Sequence, residues 1–341
     1  MKAMVLAAGL GTRLRPITYA MPKPMVPVLN RPVMEHIVRL LAGHGFSQAI
    51  ANLHWFPELV RGHFGDGAAF GLQLSYSEED ALLGTAGGVR KASPFLGDSF
   101  LVISGDALTD IDLAAMREFH ESHDGIATLA TRRVADTSQF GVVITDADGR
   151  VQGFQEKPDE AEALSDLANC GIYMFRSEIF EFFPEEGTSK AAGPDDPSGF
   201  ADWAMDVFPA LLDADLPFYS HEVDAYWNDI GNIDELRAGN TDALNGTVSV
   251  EIGAPEVSDG VWAATDLGGV EVSAPVLAGE GAEIGDGVRV DGPAVIGDRC
   301  RIGGGCRIRD AVLLEGVELA PGTVLVGGIA ARSTGDTGTG S

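Results

Sequence analysis

The chain opens on an unbroken apolar run, Ala3 to Ala8, of the length expected for a buried strand. Behind Pro32, the apolar positions Val33, Ile37, Leu40 and Leu41 recur at helical spacing, and the run stops near Gly43 to Gly45. Strand-like runs return at Ala49 to Leu53, Leu72 to Tyr76 and Phe100 to Ser104. Between them the pattern predicts a helix ending near Phe64 and a glycine-initiated helix over Gly84 to Ala92. Strands alternating with helices through short connections predict a doubly wound α/β sheet, whose ligands sit beyond the carboxyl ends of its strands. Three more strands are expected between Ala127 and Phe154, with a turn at Asp146-Ala147-Asp148-Gly149. Residues 185–199 read as an exposed loop, followed by helices at Trp203 to Leu212 and Ile233 to Leu244.

Beyond about residue 268 the period changes. Ile284, Val290, Ile296, Ile302, Ile308 and Leu314 recur every six residues, several followed by Gly-Asp or a similar turn pair. A six-residue period does not fit an α-helix; it predicts a hexapeptide β-helix whose short strands stack turn upon turn. The expected division is a catalytic domain over 1–245, a linker over 246–267, the β-helix over 268–330 and a disordered Gly-, Ser- and Thr-rich tail over 331–341.

Charge sharpens this picture. The 341 residues carry 51 acidic and 23 basic side chains, a net charge of −28. Such a surface repels polyanions, which argues against nucleic acid or an anionic membrane as partner. No signal peptide or membrane span is evident, and three cysteines without CxxC spacing suggest neither a disulfide framework nor a zinc site, so a reducing cytoplasm is expected. Against that acidity, positions 1–34 hold Lys2, Arg13, Arg15, Lys23 and Arg31 and no acid. A strand, a glycine loop and then cations is an order suited to phosphate.

The loop reads Leu6-Ala7-Ala8-Gly9-Leu10-Gly11-Thr12-Arg13-Leu14-Arg15-Pro16, with Pro22-Lys23-Pro24-Met25 after it. It lacks the Gly-Lys-Ser/Thr of a P-loop, and Leu14 stands where a Rossmann fingerprint needs its third glycine. The full spacing Gly-x-Gly-Thr-Arg-x-x-Pro, then Pro-Lys-Pro, resembles the sugar-phosphate nucleotidyltransferases, which join an NTP to a sugar 1-phosphate and release pyrophosphate. The resemblance covers residues 1–245 and extends to the β-helix of several long members, whose usual left hand it implies for residues 268–330. It identifies the first domain as a Rossmann-like mixed sheet.

The resemblance implies roles residue by residue. Ala8, Gly9, Gly11 and Thr12 would line the nucleotide, and Arg13 and Lys23 would place fixed cations where charge builds on the α-phosphate and the departing pyrophosphate. Asp106, at the end of Leu101-Val102-Ile103-Ser104-Gly105-Asp106, and Asp229, in Tyr226-Trp227-Asn228-Asp229-Ile230-Gly231, resemble the two carboxylates that hold Mg²⁺ against triphosphate oxygens. Lys157 in Glu156-Lys157-Pro158 would pair with the sugar's phosphate, while Glu156, Gly141 and Asn169 would meet the sugar. Phosphate is already the nucleophile, so positioning rather than a general base is the main requirement.

Leu83-Gly84-Thr85-Ala86-Gly87-Gly88 resembles the helix start near the base, in the variant found in mannose-1-phosphate guanylyltransferases. Glu79, five residues before Gly84, could accept guanine's adjacent N–H donors. The expected reaction is therefore GTP plus mannose 1-phosphate giving GDP-mannose, by a protein expected to form a homo-oligomer. A dTTP- or UTP-using glucose-1-phosphate enzyme is the alternative. A regulatory subunit without turnover is disfavoured by the full set Arg13, Lys23, Asp106, Lys157 and Asp229. A hexapeptide acyltransferase is disfavoured because the last histidine, His221, precedes the β-helix.

Overall fold

The structure is a computed structural model, and it describes residues 1–332. The tail expected to be disordered lies, from residue 333 on, outside the described residues. The chain forms two compact units. One comprises residues 1–10, 37–107 and 111–227; the other comprises 11–36, 108–110 and 228 onward.

The first unit is built on a nine-stranded mixed sheet. Its central strands Ser99–Ser104, Lys2–Leu6, Gln48–Leu53 and Gln73–Glu78 lie side by side in that order and run parallel. The first three are mostly apolar on both faces, as parallel strands covered by helices require, while Gln73–Glu78, last in the sheet order, is largely polar. Met4, Phe100 and Val102 are wholly buried, and Val89 of the helix Gly84–Ala92 packs with them. The strand Leu167–Arg176 joins antiparallel to Ser99–Ser104 and carries the sheet on to the hairpin Gly141–Thr145 and Val151–Glu156. The sheet is therefore doubly wound and mixed.

The predicted helix at 203–212 begins as a π-turn, Trp203–Val207, before the α-helix Phe208–Asp213. An aromatic stack fixes it there: Trp203 lies 4.5 Å from Phe175, and Phe208 lies 5.1 Å from Phe154, centroid to centroid. Residues 185–199 form loop and turn, as expected, but Asp206 pins them. Its buried carboxylate accepts hydrogen bonds from Ser189 Oγ, Lys190 N and Asp202 N.

In the second unit, parallel strands stack with partners eighteen residues apart: Val272 opposite Val290, and Val290 opposite Ile308. Three six-residue strands per turn make this the hexapeptide β-helix. Val290, Ile296, Ile302 and Ile308 are buried in its core, as the period predicts. Leu314 is not in that core; Leu313 is, opposite Ile296. One residue drops out of the repeat after Ile308, where Asp310 takes a left-handed φ of 49°. The predicted linker is also shorter than expected, because Val261–Ala263 already pairs with Val276–Ala278 in the β-helix sheet.

The helix Ile233–Leu244 packs on the β-helix through Arg237, whose guanidinium meets Asp310 at 2.9 Å. From the same helix, buried Asn240 accepts from Leu29 N and donates to Pro27 O in the hairpin after the cationic loop. Asn30 at the tip of that hairpin donates to Ile296 O, a β-helix carbonyl. Periodicity could not reveal this, because these contacts join residues 73 to 266 positions apart.

Candidate active site

The residues assigned chemistry fall into two sets, one in each unit. In the first unit they gather at the carboxyl ends of the central strands. Ala8 is buried and Gly9 exposed just past Lys2–Leu6, and Asp106 follows Ser99–Ser104 two residues on. Gly105 sits between Ser104 and Asp106, where a Cβ would lie 3.0 Å from Leu6 O, and its N–H donates to that carbonyl at 2.9 Å. A side chain there would press on the Leu6 carbonyl, which would have to give way slightly.

The sugar-side residues share this unit. Glu156 and Gly141 are register partners across the hairpin, and a Cβ on Gly141 would come within 3.2 Å of Glu156 Oε2. Lys157 turns out of the strand at φ 46°, with its N–H on Phe140 O and its exposed ammonium 3.4 Å from Glu156. Asn169 stands at an irregularity in Leu167–Arg176, accepting from Gly171 N and donating to Tyr173 Oη. Buried Tyr173 is held neutral, because loss of water around it raises its pKa well above the usual phenol value.

Two residues that pattern reading passed over shape this end. Trp227 packs against Phe140 at 5.1 Å and donates from Nε1 to Cys170 O, bracing the turn beside Asn169. Asn52 links the first strand's end to Glu79. Trp227 was visible inside its motif only as a neighbour of Asp229. A lone Asn in a strand carries no signal at all.

Three residues expected near the base have protein partners of their own. Glu79 is 4 % exposed, and both carboxylate oxygens are engaged: Oε1 accepts from Asn52 Nδ2 at 2.8 Å and Oε2 from Leu83 N at 3.0 Å. Its acid group faces inward and offers no free edge to guanine. Thr85 spends its hydroxyl on Asp202 Oδ2 and on Trp203 N. Gly84 is glycine because its φ is 75° and a Cβ would stand 2.4 Å from Ala201 O. That same carbonyl accepts from Ala86 N and Gly87 N, so the segment before Trp203 caps this helix start. The small residues here serve close packing first.

In the second unit the loop tightens through three short 3₁₀ turns, Thr12–Leu14, Ile17–Tyr19 and Lys23–Met25. Gly11 has φ 61°, and Thr18 Oγ1 donates to its carbonyl at 2.8 Å. A Cβ on Gly11 would stand 2.9 Å from Lys23 Cβ, so glycine lets the two motif halves close on each other. Lys23 is buried, with its ammonium 3.2 Å from Asp229 Oδ1. The exposed Arg13 lays its guanidinium over Gly231, where a Cβ would be 3.0 Å from Nη2. Arg13, Lys23 and Asp229 thus form one cluster, although Lys23 and Asp229 are 206 residues apart in the chain.

Among the described residues no group of three His, Cys, Asp or Glu side chains could hold a metal ion. Asp106 and Asp229 are single carboxylates. That donor chemistry suits Mg²⁺ arriving on a triphosphate, which keeps waters and substrate oxygens, rather than a resident ion in a protein cage. Nor, among the described residues, is any helix long and apolar enough to cross a membrane. Cys170, Cys300 and Cys306 are free and buried; burial pushes the Cys170 thiol up to about 12.

Comparison with known proteins gives the family. Residues 2–246 match the family described as "Nucleotidyl transferase", and residues 279–310 match the bacterial transferase hexapeptide family. The chain is 39 % identical to a UTP–glucose-1-phosphate uridylyltransferase from Synechocystis, over 96 % of this chain and 86 % of that protein. It is 35 % identical to a mannose-1-phosphate guanylyltransferase from Mycobacterium tuberculosis, over 84 % and 77 % respectively. A Bacillus anthracis crystal structure named for glucose-1-phosphate thymidylyl transfer superposes with a TM-score of 0.62 at 26 % identity, covering 74 % of this chain and 97 % of that one. The chain belongs to the nucleotidyl transferase family, among its sugar-1-phosphate nucleotidyltransferases.

Proposed function

We propose that the enzyme uses UTP and glucose 1-phosphate, forming UDP-glucose and pyrophosphate. The observation that carries this choice is the inward-facing Glu79 carboxylate, which removes the physical reason for preferring guanine. The relative matched over 96 % of the chain, β-helix included, is a uridylyltransferase by name, which supports the same choice. GTP with mannose 1-phosphate stays as the second reading, supported by the guanylyltransferase relatives.

An oxygen of the sugar 1-phosphate attacks the α-phosphorus, and the bond from that phosphorus to the β-phosphate oxygen breaks. Arg13 and Lys23 stabilise charge on the α-phosphate and on the pyrophosphate as it leaves. Lys157 orients the attacking phosphate, and Glu156, Asn169 and the Gly141 backbone hold sugar hydroxyls. Ala8, Gly9, Gly11 and Thr12 line the nucleotide. Asp106 and Asp229 would hold Mg²⁺, which supplies positive charge to the phosphate oxygens.

The test offers purified protein each of UTP, dTTP, GTP and ATP with glucose or mannose 1-phosphate, and measures pyrophosphate release. UTP with glucose 1-phosphate is expected to give the highest kcat/KM. A clear preference for GTP with mannose 1-phosphate would restore the second reading.

A further inference from the structure

Across the carboxyl edge of the first unit's sheet runs an unbroken chain of short hydrogen bonds. It begins at Gly105, next to Asp106, whose N–H donates to Leu6 O at 2.9 Å. The other side of the same peptide, Ala7 N–H, donates to Asn52 Oδ1 at 2.8 Å. Asn52 Nδ2 donates to Glu79 Oε1 at 2.8 Å, and Glu79 Oε2 accepts from Leu83 N, the residue before Gly84. The donors and acceptors fix the amide's orientation. Ala7 N can only donate, so it must face Asn52 oxygen, which turns the Asn52 NH₂ toward the carboxylate.

The order of these links follows the order of the strands: Ser99–Ser104, Lys2–Leu6, Gln48–Leu53, Gln73–Glu78. Asn52 is 3 % and Glu79 4 % exposed, so neither has water as an alternative partner. Gly88, in the helix above, leaves them room: a Cβ there would be 2.6 Å from Glu79 Oε1 and 2.7 Å from Asn52 Nδ2. Burying a carboxylate and a primary amide is costly unless each is satisfied, and a pair of apolar residues would fill the space without that risk.

We propose that Asn52 and Glu79 form a crossbar that positions the nucleoside triphosphate. It locks the Leu6–Ala7 peptide that leads into Ala8 and Gly9, and spaces the Gly105–Asp106 turn from the turn before Gly84. Neither side chain touches the reacting atoms; both are positioning residues. The role rests on the nucleotidyl-transfer reading above, and it specifies which groups set triphosphate affinity and base choice in that site.

The experiment is an isosteric swap. Asn52→Asp alone sets two carboxylates face to face, and Glu79→Gln alone sets its NH₂ against either Asn52 NH₂ or Leu83 N–H. The double variant Asn52→Asp/Glu79→Gln restores every donor–acceptor match, with the Gln amide now donating to Asp. Each single variant is expected to raise KM for the triphosphate at least about tenfold and to flatten the preference among nucleotides, with KM for the sugar phosphate changed less than about twofold. The double variant is expected to return within about threefold of wild type.

A double variant as poor as the singles would overturn the proposal. So would singles whose triphosphate KM matches wild type, or singles that lose affinity for both substrates alike. Should the single variants fail to fold, the double variant still decides, since it must both fold and bind triphosphate normally. Calorimetric titration with UTP and Mg²⁺ accompanies the kinetics. Wild-type protein that binds UTP yet transfers nothing would count against the reaction, while the swap would still be judged on affinity.

Discussion

The two sets of site residues are held in place by different physics. In the first unit, hydrogen bonds from main-chain and amide donors carry the geometry: Gly105 to Leu6, Ala7 to Asn52, Asn52 to Glu79 and Gly171 to Asn169. In the second unit, charge does it. Lys23 is buried against Asp229, and Arg237 against Asp310 anchors the helix that carries Asn240. Hydrogen-bonded positions fix where a ligand lies, whereas fixed cations act on charge that develops during reaction. The difference predicts that damage to the first unit appears mainly in KM, and damage to the second mainly in kcat.

The largest expected effect separates the units on that axis. Lys23→Met removes the cation proposed to act on the reacting phosphates and takes it from Asp229; kcat should fall roughly 100- to 1,000-fold, with KM for the sugar phosphate little changed. Steady-state kinetics with both substrates varied checks this. A variant that loses only affinity would erase the contrast between the units.

A smaller effect is expected at Asn240, 1 % exposed and bonded to Leu29 N and to the Pro27 and Leu236 carbonyls. Asn240→Ala strands the Leu29 donor and should cost about 1–3 kcal/mol in urea unfolding. A loss of kcat alongside it would sharpen the comparison, since the hairpin it holds follows the cationic loop directly.

An effect of similar size is one of pH, read at the histidines of the first unit. His120 is buried beside Thr128, and desolvation first, then Arg176 and His123, lower its pKa from 6.5 to about 4. His123 and His221 shift the same way, again chiefly by desolvation. Their neutral forms are favoured in the folded state, so the unfolded chain binds more protons below pH 6.5. Stability is then full above pH 6.5 and falls as the pH drops toward 4, by at most about 1.4 kcal/mol per pH unit for each proton. Urea unfolding at pH 7 and at pH 5 measures it. Equal stability at both would show that these histidines are solvated.

How much of this was legible in the sequence follows from the range of each interaction. The strand–helix alternation and the six-residue period are local, and they predicted both architectures, though not the residue lost between Ile308 and Leu313. Arg13, Lys23 and Asp229 were legible because a long spaced motif specified them. At Gly84 and Thr85, whose types are those expected near a nucleobase, the packing against Ala201, Asp202 and Trp203, over 115 residues away, could not be read locally. Glu79 read as a free acid because nothing in its neighbourhood names Asn52. Asn240, which ties Leu29 to the β-helix unit, was invisible for the same reason.

The central claim concerns which bonds change, and oxygen labelling tests it most directly. Glucose 1-phosphate carrying ¹⁸O in all its phosphate oxygens is incubated with UTP, Mg²⁺ and the enzyme, and the products are weighed by mass spectrometry. Attack on the α-phosphorus leaves every labelled oxygen in the nucleotide sugar and none in pyrophosphate. Label in the pyrophosphate, or no nucleotide sugar with any nucleoside triphosphate, would contradict the account.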